Sequence, residues 1–209
     1  MAEVGGTTFR AMHVHMKPLE YGALGHYRTA IKLTMATTQA ANSRLFEVRN
    51  THASNLLVPT RIRAAVQPAG TVTTAYGFEL GLFRVTSFTA VDTTNTVTPT
   101  SSVKRTSMAA YPGGAHVRHV TVAGAAAGMT GGTLTKDANA IASMIAWLAT
   151  AAATSMPVER ELMDDVNGTH PLVCAQNEGW ELENVVAGSA TANVVQAMLD
   201  VSWAEVASF

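Results

Sequence analysis

Chemistry in this chain would have to come from a few scattered groups. It has seven histidines, one cysteine and 15 acidic residues. His13 and His15 are two apart and share a face if extended, whereas His116 and His119 are three apart and face opposite ways on a strand. A zinc site needs three or four converging ligands, and two separate histidine pairs read as ordinary polar strand residues. Asp164-Asp165-Val166-Asn167-Gly168 begins like a calcium loop. Val166 stands where a third oxygen ligand is required, so Asn167-Gly168 reads as a turn. Glu159, Glu161, Asp164 and Asp165 lie close enough in sequence to suggest paired carboxylates for glycosidic chemistry. A solvated edge or a contact between subunits is the plainer reading. Cys174 sits in the apolar run Leu172–Ala175, the setting of an inert buried thiol.

Other catalytic patterns are missing their key residues. The glycine-rich stretch 123–132 is followed by Thr133-Leu134-Thr135-Lys136, so no lysine stands where a phosphate-binding loop places it. No G-x-S-x-G occurs, and Gly188-Ser189-Ala190 reads as a turn between strands. The sequence therefore assigns no catalytic, cofactor-binding or metal-ligating residue, and no cofactor.

Composition narrows the classes further. Of 209 residues 47% are hydrophobic and only 14% charged, against about 25% charged in ordinary soluble domains. Ala and Thr make up about 30% of the chain. Fourteen basic residues face 15 acidic ones for a net charge of -1, with no basic run to follow a nucleic-acid backbone. One cysteine cannot build a disulfide framework. Aromatic residues at 6% are too few for a stacking platform. No run of 18 apolar residues suggests a membrane helix, and the N-terminal MAEVGGTTFR lacks the basic and apolar regions of a signal peptide.

The elements that would carry these residues follow a period of two. Leu56, Val58, Thr60, Ile62, Ala64 and Val66 alternate with Leu57, Pro59, Arg61, Arg63, Ala65 and Gln67, the pattern of a strand with one buried face. Ile31, Leu33 and Met35 alternate with Lys32 and Thr34. Val195, Ala197, Leu199, Val201 and Trp203 alternate with Gln196, Met198, Asp200, Ser202 and Ala204, and this second face is apolar enough to suggest cover by another element or subunit. Weaker strands are expected at Ala11–Met16, Leu45–Arg49, Tyr76–Ser87, His116–Val122, Thr133–Lys136, Pro171–Ala175 and Trp180–Ala187. Gly81 interrupts the alternation of Phe78 and Leu80 with Phe83 and Val85, as a β-bulge would. Turns are expected at Gln67–Gly70, Tyr111–Gly114, Asn167-Gly168 and Asn177–Gly179, the last joining Leu172–Ala175 and Trp180–Val186 as a hairpin.

One helix is expected over Ala138–Ala153, capped by Asp137, with Ile141, Met144, Ile145 and Leu148 on one face. Thr89–Thr100 and Ala123–Gly132 read as long loops, and Met1–Thr8 as a polar arm. Many short strands at short spacing predict an all-β fold, an antiparallel β-sandwich or jelly roll with long loops and at most one short helix. The whole chain, 1–209, is expected to form one such domain with an N-terminal arm over about residues 1–10.

Two stretches carry a family resemblance. Met35–Asn50 (MATTQAANSRLFEVRN), followed by Arg61-Ile62-Arg63, is one. Asn177–Asn184 (NEGWELEN), running on to Leu199–Val206 (LDVSWAEV), is the other, with Ser87–Asp92 and Leu134–Asp137 fitting between. These resemble jelly-roll structural proteins of tailed-bacteriophage virions, over about two thirds of the chain. The resemblance implies a non-enzymatic protein that functions by assembly, as a capsid cement or decoration protein in the virion, put together in the bacterial host cytoplasm. Its partners would be copies of itself and the major capsid protein or neighbouring virion proteins, with no nucleic acid and no membrane. A tail, baseplate or fibre-associated position is the alternative. A metal-dependent cupin-like enzyme is the third reading, and would draw its ligands from His13, His15, His116, His119 and a carboxylate. Contact surfaces are expected on the 1–8 arm, the 89–100 loop, and the exposed side of the last strand near Met198 and Trp203.

Overall fold

The computed structural model describes residues 2–4, 7–9, 24–99, 102–103, 114–121, 126–150, 157–164, 172–188 and 195–208. The described residues form an all-β structure of antiparallel sheets packed against each other, with no helix. The strands are β1 (Ala2–Val4), β2 (Thr7–Phe9), β3 (Gly25–Thr34), β4 (Ser43–Asn50), β5 (Leu56–Pro68), β6 (Tyr76–Ala90), β7 (Thr96–Val97), β8 (Ser102–Val103), β9 (Ala115–Val120), β10 (Thr133–Lys136), β11 (Ala142–Leu148), β12 (Val158–Asp164), β13 (Gly179–Asn184) and β14 (Val195–Val206). β1 and β2 pair antiparallel with each other, so residues of the expected arm form a small two-stranded sheet. The Ala11–Met16 strand lies outside the described residues.

Two larger sheets make a sandwich. One runs β12-β5-β14-β3-β8; the other runs β10-β6-β13-β4-β9-β7, with β11 also on β6. β11 and β10 share one edge of the 15-residue β6: β11 lies against Tyr76–Leu82 and β10 against Val85–Ala90. The inner faces supply a common core. Leu33, Ile62, Ala64, Val66, Leu199 and Val201 come from one sheet, and Phe46, Val48, Leu80, Leu82, Trp180 and Leu182 from the other. Tyr27 and Trp203, directly opposite on β3 and β14, stack with ring centroids 5.7 Å apart and add an aromatic contact to the apolar burial. Trp203 is therefore a core residue, and of the expected contact pair only Met198 faces outward.

Register shows where period two breaks. β5 and β14 slip between Ser202 and Trp203, leaving Thr60 as the extra residue. Beyond that bulge the faces exchange. Leu57 joins the main core, while Val58 packs with Ala204 and Val206 in a small cluster on the opposite face. Gly81, by contrast, is not a bulge, because β11 and β13 stay in continuous register across it. Phe78, Leu80 and Leu82 keep their alternation; the apparent break came from Phe83 and Val85, which are apolar yet on the outer face. Glycine is needed at 81 because a Cβ there would stand 2.7 Å from the Phe83 ring and 2.9 Å from Val185.

The expected helix is a strand. β11 alternates buried Met144, Ala146 and Leu148 with exposed Ile145 and Trp147. Alanine content and the spacing of Ile141, Met144, Ile145 and Leu148 fit a helix equally well. Seven paired positions on β6 settle the choice, since tertiary pairing outweighs a weak local preference. The expected 172–186 hairpin also does not form. Cys174 bridges Leu57, whereas β13 lies between β4 and β6 in the other sheet. Asn177, with φ 66°, turns the chain from one sheet to the other. Its N–H donates to Asn50 O and its carbonyl accepts from Phe88 N–H.

The two described loop regions are tied down. β6 continues through Ala90 and β7 pairs with β9, so residues 89–99 are partly strand. Thr94 and Thr130 exchange backbone hydrogen bonds of 2.8 and 3.1 Å, joining this stretch to 126–132, where Met129 is buried.

Candidate interaction surface and a buried carboxylate cluster

The outer face of the five-stranded sheet carries a ladder of opposite charges. Cross-strand rows place Lys32, Met198, Ala65 and Glu159 side by side, then Ala30, Asp200, Arg63 and Glu161, then Arg28, Ser202, Arg61 and Asp164. Arg28 pairs with Asp200, Arg63 with Glu159 and Arg61 with Glu161. The small side chains Ala30 and Ala65 leave a shallow groove of about 300 Å3 bordered by Lys32, Arg63, Glu159 and Asp200. Glu159 and Glu161 thus each face their own arginine on an exposed edge strand, an arrangement that holds β12 in place and keeps the sheet edge hydrophilic. Such exposed pairs contribute about 0–1 kcal/mol each. Asp164 ends the same strand opposite Arg61; residues 165–168 of the calcium-like stretch lie outside the described residues.

Other sequence candidates do not converge. His116 stands opposite Arg49 and His119 opposite Phe46, on opposite faces as their spacing requires. Burial, with Arg118 and Arg49 nearby, lowers the His116 pKa. His13 and His15 lie outside the described residues. Among the described residues no three His, Cys, Asp or Glu side chains are grouped to hold a metal ion. Cys174 is buried, and that burial pushes its thiol pKa well up, away from a reactive thiolate. Gly188 packs against Gln39, and Ser189 and Ala190 are outside the described residues.

The outer face of the seven-stranded sheet holds what the sequence pattern did not single out. Glu181 lies directly opposite Glu47 on β4 and Phe83 on β6, and Glu183 opposite Arg44 and Gly81. Glu47, Glu181, Glu183 and Asp92 are all buried. Arg44 grips Asp92 with two contacts of 2.7 and 3.0 Å and lies 3.9 Å from Glu47. Lys136 reaches Glu181 at 3.2 Å, contacts Glu183, and sits 4.3 Å above the Phe83 ring. Asp92 also accepts Gly132 N–H at 3.0 Å and donates its own N–H to Glu47 at 3.3 Å. Burial, then Asp92, raises Glu47 to about 8; burial, then Glu183, raises Glu181 to about 8. In sequence these acids alternate with Phe46, Val48, Trp180 and Leu182 and therefore read as solvent-facing. Among the described residues Lys136 packs over Glu181 and Glu183, and Asp92, tied to Gly132, packs over Glu47.

The third feature is apolar and open. On β11, Trp147 is 68% exposed, Ile145 66%, and Ile141, just before the strand, 45%. The Trp147 ring lies across Gly77 of β6, 3.7 Å from where a Cβ would be. The ring thus rests on β6 beside Gly77 while most of it stays exposed. β11 pairs only with β6 among the described residues. The helix reading concealed this ridge by placing Ile145 on a buried face. Compared with known family models and with curated proteins, the chain matches none.

Proposed function

We propose that this chain is a non-enzymatic structural protein of a tailed-phage virion, a cement or decoration protein that stabilises the capsid shell through contacts with its own copies and with the shell protein. The observation that carries this reading is the exposed Ile141, Ile145 and Trp147 ridge on an outer strand. Large apolar side chains grouped at a surface are costly in water and mark protein contact sites. The low charge content supports the same reading, as does the ladder of paired charges on the opposite sheet, which leaves little net field to repel neighbouring copies.

The test is to purify particles and quantify this chain in them. Hundreds of copies per particle fit a shell position. Roughly three to twelve fit the alternative tail or baseplate position, as cyclic symmetry implies. Abundance in the lysate with absence from particles overturns the reading.

A further inference from the structure

Four carboxyl groups are enclosed on the outer face of the seven-stranded sheet, each at most 2% exposed: Glu47, Asp92, Glu181 and Glu183. Among the described residues two cations lie within ion-pair reach of them, Arg44 and Lys136. Among the other charges on the packed elements, Glu79 lies on the same face of β6, two residues from Gly81 and half-buried, while Arg118, Arg49 and His116 are engaged elsewhere or neutral. Arg118 on β9 donates to Thr98 and to Val117 O, Arg49 on β4 donates to Asn177 at 2.6 Å, and His116 on β9 is biased to its neutral form. The turns 91–95 and 128–132 contribute no titratable group other than Asp92.

Four negative charges on two cations, removed from water, are strongly disfavoured. The oxygens themselves show what is missing. Glu47 Oε2, Glu181 Oε2 and Glu183 Oε2 are buried without any N–H or O–H donor. Yet the carboxyls stand in two pairs, each gathered about one cation: Glu47 and Asp92 about Arg44, with Asp92 N–H on Glu47, and Glu181 and Glu183 about Lys136. A proton on one carboxyl of each pair supplies the absent donor and brings the charge of the cluster to balance.

We propose that this cluster is a proton-held clamp: each carboxyl pair holds one shared proton at neutral pH, and loss of those protons detaches the 91–95 and 128–132 turns from the sheet. Asp92 is the pin. It joins Arg44, Glu47 and Gly132 N–H, and the Thr94–Thr130 bridge locks the second turn to the first. Ionised Glu47 repels Asp92 and weakens that pin. Ionised Glu181 and Glu183 together overload Lys136, which holds the end of β10 beside the same turns. The device is independent of any assembly role.

Amide hydrogen exchange tests it on the intact protein, from about pH 6 to about pH 10 and corrected for the intrinsic pH dependence of exchange. Protection of residues 91–95 and 128–132 should fall at least tenfold above about pH 8, while β5 and β14 stay protected. The Glu47→Gln/Glu181→Gln double variant, neutral at every pH, should keep its turns protected throughout. Unchanged protection in the native protein, or equal loss in the variant, overturns the clamp. Infrared spectroscopy needs no variant. A carboxylic-acid carbonyl band should be present at pH 7 and vanish at about pH 10, and its absence at pH 7 also overturns the proposal.

Discussion

Glu47 and Glu181 stand directly opposite each other on β4 and β13, both buried. Like charges so placed oppose folding. Both pKa values are raised by burial to about 8. In the unfolded chain the same groups ionise near their ordinary value of 4.5. The folded state therefore binds more protons between these limits, and the stability contribution, complete below about pH 4.5, is lost as pH rises to about 8. Urea midpoints should fall across this window, with a slope of up to about 1.4 kcal/mol per pH unit for each group. Glu47→Gln should flatten its share, and a flat native profile would contradict the assignment.

Two tryptophans with the same strand alternation should respond oppositely. Trp203→Ala removes a fully buried ring stacked on Tyr27 and should cost about 3–5 kcal/mol, read by denaturant unfolding. Trp147→Ala should change stability by no more than about 1 kcal/mol, because most of that ring faces solvent. It should instead weaken binding to particles or self-association, measured by co-sedimentation. Undiminished association would remove the ridge from the contact surface.

Glycines at sheet positions separate in the same way. A Cβ at Gly179 would stand 1.9 Å from Val48 O, so β13 cannot approach β4 with any side chain there. Gly179→Ala should destabilise by about 4 kcal/mol or more and lower the melting temperature sharply. At Gly77 the nearest atom, in Trp147, is 3.7 Å away. Gly77→Ala should be tolerated to within about 1 kcal/mol, with thermal melts of both variants providing the comparison.

Cys174 should resist a thiol reagent in the folded protein at pH 8 and react fully once the chain is unfolded. It is enclosed beneath the Leu57 bridge, with its thiol pKa raised by burial. Rapid labelling of native protein would show that this region opens.

Much of the fold was legible because alternation is a local record of which side of a strand is wet. The Leu33, Leu199, Val201 and Trp203 faces, the Thr133–Lys136 strand and the opposed faces of His116 and His119 all follow from it. Errors arose where a nonlocal partner decided the outcome. The 142–148 segment suits helix or strand by composition, and β6 fixes it as β11. The 172–175 segment has the pattern of the near strand of a hairpin, but Leu57 captures Cys174. Thr60 looks regular in sequence, and its bulge is visible only against the continuous register of β14.

An antiparallel all-β chain, poor in charge, can be read from hydrophobic period and composition, because both are properties of the chain alone. Tertiary structure decided what covers each outward face. It left Trp147 and Ile145 open while enclosing Glu47, Asp92, Glu181 and Glu183. A strand pattern states only that a side chain points away from the core; whether it meets water, a neighbouring turn or another carboxylate depends on where distant segments close over the sheet.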